Sequence, residues 1–362
     1  MAVIDMDQRH YIIEIVQQIR ESLSNRPKDK RMDVFLEMVF EKYNNLLNDY
    51  CLESCLSETQ QDKIKLIENR IIECLKDYFR GCLMGALNEI QCLLQDLKSA
   101  EGNNLTILNK GEIWYRGRIK EEGLSLYNRK EMFHIPEYLR EKVNSQRFSF
   151  NGYPCLYLGK TIWACWEELN EPHLDDVCFS AFKLTQDIRL LNLSIPSVAS
   201  LKLWPSDGIP KLLISLPIMI ACSVKTLNEN ANFKSEYVIP QMMMAELINW
   251  HWYDGYIFSS TKRNPAFGWK EDYLLNVVLP VAGGFDDDGL CISLKQAFML
   301  TEPIYYKYEY LKGNVTNLIM GDDEDVDRIF DKSLQSDNED LYPKALFGQL
   351  EELLNKKEFL PI

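Results

Sequence analysis

Three short stretches hold side chains whose types and spacing could do chemistry. In RFSFNGYPCLYLGKTIWACWEEL, residues 147–169, a cation, Arg147, opens a segment that closes on two adjacent carboxylates, Glu167 and Glu168. In GEIWYRGR, residues 111–118, Arg116 and Arg118 alternate within a run otherwise built from Ile113, Trp114 and Tyr115. In WYDGYIFSSTKRN, residues 252–264, an apolar run ends in two hydroxyls, Ser259 and Ser260, with Lys262 and Arg263 just beyond. Alternation along a strand puts Arg116 and Arg118 on one face. Two guanidinium groups there are costly unless that face is wet or receives an anion, and their forked donors suit a pyrophosphate. Each residue also has a plainer use. Arg147 and both glutamates could be solvated surface groups, and paired serines often mark only the end of a strand.

The elements that must position these groups can be read from the flanking pattern. CLYL, residues 155–158, reads as a buried strand, and Thr161 is a fitting N-cap for the helix after it. That helix carries Ile162, Cys165, Trp166 and Leu169 on or beside its apolar face. Glu168 falls two helical turns after Thr161 and could return a carboxylate towards the strand edge, while Glu167 points roughly 100° away. EIWYRGR, VCFSAFKL, RLLNLS, YDGYIFSS and YLLNVVLP also read as strands, with a further helix around 239–250. A mixed α/β domain is therefore expected over 104–312.

Before it, residues 1–103 read as helix almost throughout. Val34, Phe35, Met38 and Val39, then Ile64, Ile67, Ile71 and Leu75, then Leu83, Leu87, Ile90 and Leu94 recur at helical spacing. A compact helical bundle is expected there, and KSAEGNNLTILNKG, residues 98–111, looks like the boundary. After the mixed domain, 313–362 reads as an acidic linker, GDDEDVDRIFDKSLQSDNEDL, followed by an amphipathic terminal helix. The fold class expected for the whole chain is α+β.

Composition narrows the function classes. With 46% hydrophobic and 26% charged residues the chain can bury a sizeable core. A net charge of −14 argues against extended nucleic-acid binding, which needs a broad positive field, but leaves room for a local basic pocket. The ten cysteines are scattered without paired metal-ligand spacing, so buried, reduced thiols and no metal site are expected. The N-terminus lacks the apolar core of a signal peptide, and no apolar run reaches the roughly 20 residues of a membrane helix. A cytoplasmic protein with no membrane contact is the expectation.

Taken in order, WYRGR, EMFHIPEYLR with QRFSFNGYPCLYLGKTIWACWEEL, EYVIPQ with DGYIFSST, and EDYLLNVVLP resemble the RES family, named after its arginine, glutamate and serine. The resemblance covers most of 111–281. It implies a pocket in a fold related to ADP-ribosyltransferases, in toxins that degrade NAD by hydrolysis or phosphorolysis. Carried over residue by residue, the family arginines fall on Arg116 and Arg147, the tyrosine on Tyr157, the glutamate on Glu168 and the serine on Ser260. Glu167 and Ser259 are rivals at doubled positions. The resemblance gives Arg116 and Arg147 to the phosphates, Tyr157 to the nicotinamide pocket and Glu168 to the sugar, with Tyr115 and Ser259 as further substrate-binding positions. Ser260 would hydrogen-bond ribose or the carboxylate.

Such a site would consume NAD as substrate and need no resident cofactor. Cleavage of the nicotinamide–ribose bond builds positive charge on the sugar, and a fixed carboxylate beside it stabilises that charge. The resemblance also implies a toxin or defence effector with an antitoxin or trigger protein as partner. Homo-oligomerisation, restraint or reception of a trigger would be the work of the N-terminal bundle. Longer relatives carry bundles resembling the HEPN class, whose arginine–histidine nuclease spacing is absent here; of four histidines only His10 lies in the helical region. His134, in EMFHIP, is expected to be structural. Two other functions share the same residues: ADP-ribosyl transfer to a macromolecule, and nucleotide sensing without turnover.

Overall fold

The computed structural model describes residues 6–52, 56–99, 105–120, 126–249, 252–262, 272–315, 342–343 and 345–362. The acidic linker, residues 100–104 of the 98–111 boundary and Arg263 lie outside the described residues. In chain order the helices are α1 (Met6–Ser24), α2 (Met32–Asp49), α3 (Glu58–Phe79), α4 (Leu83–Ser99), α5 (Ile162–Glu168), α6 (Val198–Lys202), α7 (Ile209–Cys222), α8 (Val238–Leu247), α9 (Ile292–Ala297), α10 (Tyr306–Leu311) and α11 (Leu346–Asn355). The strands are β1 (Leu105–Leu108), β2 (Ile113–Ile119), β3 (Cys155–Gly159), β4 (Val177–Leu184), β5 (Ile188–Asn192), β6 (Gly255–Ser259), β7 (Leu275–Pro280), β8 (Phe298–Leu300) and β9 (Ile304–Tyr305). The fold is α+β, with helices first and strands mixed with helices after them.

These elements form two compact units that do not follow sequence order. The first holds Met1–Thr106, Asn144–Tyr153 and Arg189–Gly268; the second holds Ile107–Val143, Pro154–Ile188 and Trp269–Ile362.

In the first unit α3 packs on α4 and α7, α4 on α8, and α1 on α2. Ser57 starts α3 with a reciprocal capping box, its hydroxyl accepting from the Gln60 amide while the Gln60 side chain accepts from the Ser57 amide. The buried stripe of α2 is Met32, Phe35, Leu36, Val39, Phe40 and Tyr43, whereas Val34 and Met38 are exposed, as is Leu83 on α4. The expected face was therefore off by about one position, since Leu36 and Phe40 replace Val34 and Met38 on it. Every residue of α7 from Leu212 to Cys222 is buried, which is the fate of a helix apolar all round. The buried Tyr43 hydroxyl donates to the Leu213 carbonyl at 2.8 Å, tying α2 to α7. Strands β5 and β6 pair in parallel, Leu191 opposite Tyr256, and the long crossover that parallel pairing requires carries α6, α7 and α8.

The second unit is built on an antiparallel sheet in the order β7, β3, β2, β4, with β9 and β8 sharing the outer edge of β4. Tyr115 lies opposite Gly159 and Ala181, and Gly159 lies opposite Asn276. Because opposed residues share a face, this register sorts the whole sheet. Tyr115, Gly117, Phe179, Ala181, Tyr157, Gly159 and Asn276 face one side. Tyr115, Phe179 and Ala181 pack there in a core with Ile162, Trp163, Cys165 and Trp166 of α5 and Phe347 and Leu350 of α11. Trp114, Arg116, Arg118, Cys178, Ser180 and Phe182 face the other side, where Phe133 stacks on Phe182 at 6.4 Å. A Cβ on Gly159 would come within 2.8 Å of the Cys165 sulfur, so only glycine lets α5 begin directly against β3. The terminal helix also holds α5 in place. Glu351 of α11 accepts from the first amide of α5, Ile162, at 2.8 Å and from the Tyr342 hydroxyl at 2.7 Å, and burial pushes its carboxyl up to about 7.

Candidate functional site

The carboxylate pair sits at the end of α5. Thr161 caps that helix as its sequence implies, its hydroxyl oxygen accepting from the Ala164 amide at 3.0 Å while its proton goes to the Tyr273 carbonyl at 2.8 Å. With the helix start fixed by Thr161 and Glu351, its last residue is fixed too. Glu167 is 1% exposed, whereas Glu168 is only half-buried and accepts from the Asn276 amide nitrogen at 3.0 Å. Asn276 is 4% exposed in an otherwise apolar strand, and it lies opposite Gly159, on the side of the sheet that α5 covers. Tyr157, two residues before Gly159 and half-buried, faces the same side. The second unit thus gathers Tyr157, Glu168 and Asn276 onto one face. Asn276 was not among the residues expected from the sequence; its only signal is an amide inside an apolar run.

Tyr115 shares that face as a core residue. It is 5% exposed, and its hydroxyl donates to the Asn355 side-chain oxygen at 3.1 Å.

Arg116 lies on the opposite face of β2. Its Nη1 is buried and meets no acceptor among the described residues, and the same holds for the hydroxyl of its cross-strand neighbour Ser180 and for the Trp114 indole nitrogen. Burial, followed by the like charge of Arg118, lowers the Arg116 pKa to about 9. Arg118 is provided for: it lies 4.3 Å from the Tyr127 ring centroid and donates to the Glu131 carbonyl. Nearby His134 is structural. Its Nε2 accepts from the Cys291 amide at 2.9 Å and its Nδ1 lies 2.8 Å from the Ile135 carbonyl, an arrangement that needs the neutral ring. Burial lowers its pKa to about 4.

The remaining expected residues, Arg147, Ser259 and Ser260, belong to the first unit. Arg147 is 8% exposed. It donates to the carbonyls of Cys222 at 3.3 Å and Val224 at 3.1 Å, and to the hydroxyls of Thr226 at 3.4 Å and Thr261 at 2.7 Å. Its charge lies 5.2 Å from the Tyr237 ring centroid. Among the described residues no carboxylate accepts from it; the carbonyls at the C-terminal end of α7 supply the negative potential instead. Ser259, Ser260 and Thr261 line a cavity of about 50 Å³ together with Arg20, Leu23, Ser24, Ile195, Ser223 and Lys225. Thr261, Lys225 and Arg20 were not singled out from the sequence, since nothing local links α1, the end of α7 and the end of β6.

Among the described residues no group of His, Cys, Asp and Glu could hold a metal ion, and no helix is long and apolar enough to cross a membrane. No protein-family model matches the chain, and no solved structure matches it. A protein of Bacillus subtilis (strain 168) named "Putative toxin YopC" is 27% identical over 307 residues, covering 76% of this chain and 66% of that relative's length.

Proposed function

We propose that the chain is a toxin and that it acts by destroying NAD, cleaving the bond between nicotinamide and ribose. Similarity to a relative named as a toxin supports the first half. The second half rests on one observation: Glu168 is held by Asn276 at 3.0 Å on the face that Tyr157 shares. An amide donor fixes one carboxylate oxygen without neutralising the group, and leaves the second oxygen for a ligand.

The chemistry asks for little more at the reacting carbon. Pyridinium is already a good leaving group, so no strong acid is required. As the bond stretches, positive charge grows on the ribose, and a preoriented carboxylate stabilises it at no cost in reorganisation. Tyr157 would line the space for the nicotinamide ring. Water or phosphate then takes the anomeric carbon. Arg116, on the far face of β2, has no part in this step. A protein that empties an NAD pool must be kept silent until needed, so an antitoxin or trigger protein is the partner this reading implies, and the cytoplasm is where its substrate would be met.

Incubation of the purified full chain with NAD, followed by product identification, tests the reading. Free nicotinamide with ADP-ribose, or with its phosphorylated form, is the expected outcome, and Glu168→Gln should lower turnover by about a hundredfold or more with unchanged thermal unfolding. Turnover undiminished in that variant would remove the carboxylate from the mechanism. Label retained on a macromolecule would instead make the chain a transferase.

A further inference from the structure

We infer that Glu351, on the C-terminal helix α11, is a positioning residue for Glu168: it holds the start of α5, and the two turns of that helix carry the hold to its last residue. This role rests on the reading of Glu168 as the group that stabilises the ribose charge. It adds that the site is complete only when the C-terminal segment is docked.

Glu351 Oε1 accepts from the Ile162 amide at 2.8 Å and from the Tyr342 hydroxyl at 2.7 Å. Ile162 is the first residue of α5 and Glu168 the last, about 9 Å along the axis. The first amides of a helix have no partner within it and need acceptors from outside. Thr161 takes the Ala164 amide and Glu351 takes the Ile162 amide, so one acceptor is local and the other lies 189 residues along the chain. Asn276 then fixes the tip of the Glu168 side chain, while Glu351 fixes the backbone that carries it.

The helix that bears Glu351 is itself firmly seated. Phe347 lies 5.4 Å from the Trp166 ring, Leu350 and Leu354 are fully buried, and Asn355 accepts from the Tyr115 hydroxyl at 3.1 Å. A Cβ on Gly348 would come within 2.3 Å of the Tyr342 carbonyl oxygen, so the Tyr342 segment closes directly on α11. Beyond the helix, Leu360 and Leu300 exchange both backbone hydrogen bonds at 2.9 Å. Leucine at 351 would join Leu350 and Leu354 without the desolvation that a carboxyl suffers there. What a carboxylate does and leucine cannot is accept from the Ile162 amide.

The titratable groups facing Glu351 are Tyr342, Tyr115 from β2, Cys165 from α5 and Lys160 after β3. From β4 come apolar Val177, Phe179 and Ala181, with Lys183 further along over the Phe359 ring at 5.5 Å. Burial outweighs the two donors and Lys160 and pushes the carboxyl up to about 7. Between the ordinary carboxylate range and about 7 the folded chain therefore binds the extra proton, and the stability that Glu351 contributes falls as pH rises across that window. Its hold on the Ile162 amide moves the other way, because an ionised acceptor makes the stronger bond.

Two measurements on the full chain test this role: NAD turnover, and hydrogen exchange of the α5 amides read by mass spectrometry. Glu351→Leu should lower kcat about tenfold with KM unchanged, and should speed exchange along α5 about tenfold without lowering thermal unfolding. Glu351→Gln keeps an uncharged acceptor and should recover part of both. The wild-type kcat should rise with pH through about 7, and that step should be missing in Glu351→Gln. Unchanged kcat in both variants of an active chain, a fall in kcat that only follows lost stability, or unchanged α5 exchange in Glu351→Leu would overturn the proposal. Exchange needs no NAD. A wild type without NAD cleavage strikes the reading of Glu168, while faster α5 exchange in Glu351→Leu would still support the hold.

Discussion

Arg147 and Arg116 come from the same sequence pattern and meet opposite surroundings. In the first unit Arg147 makes four hydrogen bonds to two carbonyls and two hydroxyls and lies against an aromatic ring. In the second unit Arg116 points a buried nitrogen at no acceptor among the described residues, with a like charge two residues away and two further polar atoms beside it unsatisfied among those residues. The first is a clamp that holds the end of α7 against the segment after β6. The second lowers stability unless something outside the described residues answers it. A guanidinium in a motif is therefore not evidence of one role; its acceptors decide.

The largest effect belongs to Arg147. Replacement by methionine keeps volume but strands the carbonyls of Cys222 and Val224 and the hydroxyls of Thr226 and Thr261 in a site that is 8% exposed. A loss of about 3 kcal/mol in denaturant unfolding is expected. Arg147→Lys should recover only part of it, because an ammonium cannot reproduce the planar fork. Unaltered stability in Arg147→Met would erase the contrast between the two arginines.

Arg116→Met should move the other way, gaining about 1 kcal/mol, since a half-buried guanidinium with one buried nitrogen unanswered among the described residues is exchanged for an apolar chain of similar size. A loss matching that of Arg147→Met would show that an acceptor faces Arg116 after all. The pH dependence sharpens this. The folded-state pKa is about 9, below the ordinary arginine value, so above it the unfolded chain binds more protons than the folded one. Stability of the wild type relative to Arg116→Met should then rise as pH climbs through and beyond about 9. Near neutral pH both states are protonated and the full penalty is present. Paired unfolding curves across that range would show the rise or its absence.

Local pattern revealed much of this. VCFSAFKL is β4 from its first residue to its last, and Thr161 caps the helix it was expected to cap. Such features depend on a few neighbours in the chain. Helix α7 was harder to see: an apolar segment interrupted by Pro217 has no amphipathic period to detect. The alternation of Arg116 and Arg118 gave a shared face, but which face carries α5 depends on the pairing of Tyr115 with Gly159, forty-odd residues apart. Asn276 reaches Glu168 through the same non-local register. The cavity beside Ser260 draws on three separated segments, so no window of sequence contains it.

The smallest expected effects lie with the two hydroxyls that flank the arginines. Ser180 is fully buried and its oxygen has no partner among the described residues, so Ser180→Ala removes a desolvated group that makes no bond there and should be neutral or stabilising by up to about 1 kcal/mol. Thr261→Val removes the 2.7 Å acceptor of Arg147 and should cost about 1 kcal/mol. Combining each with the neighbouring arginine replacement isolates the pair. Thr261→Val should cost much less once Arg147 is methionine, a coupling of about 1 kcal/mol in a double-mutant cycle, whereas Ser180→Ala should act the same with or without the Arg116 guanidinium. Equal coupling in both cycles would mean that Arg116 and Ser180 are bonded to each other or to a shared ligand, and that the second unit holds its arginine as tightly as the first.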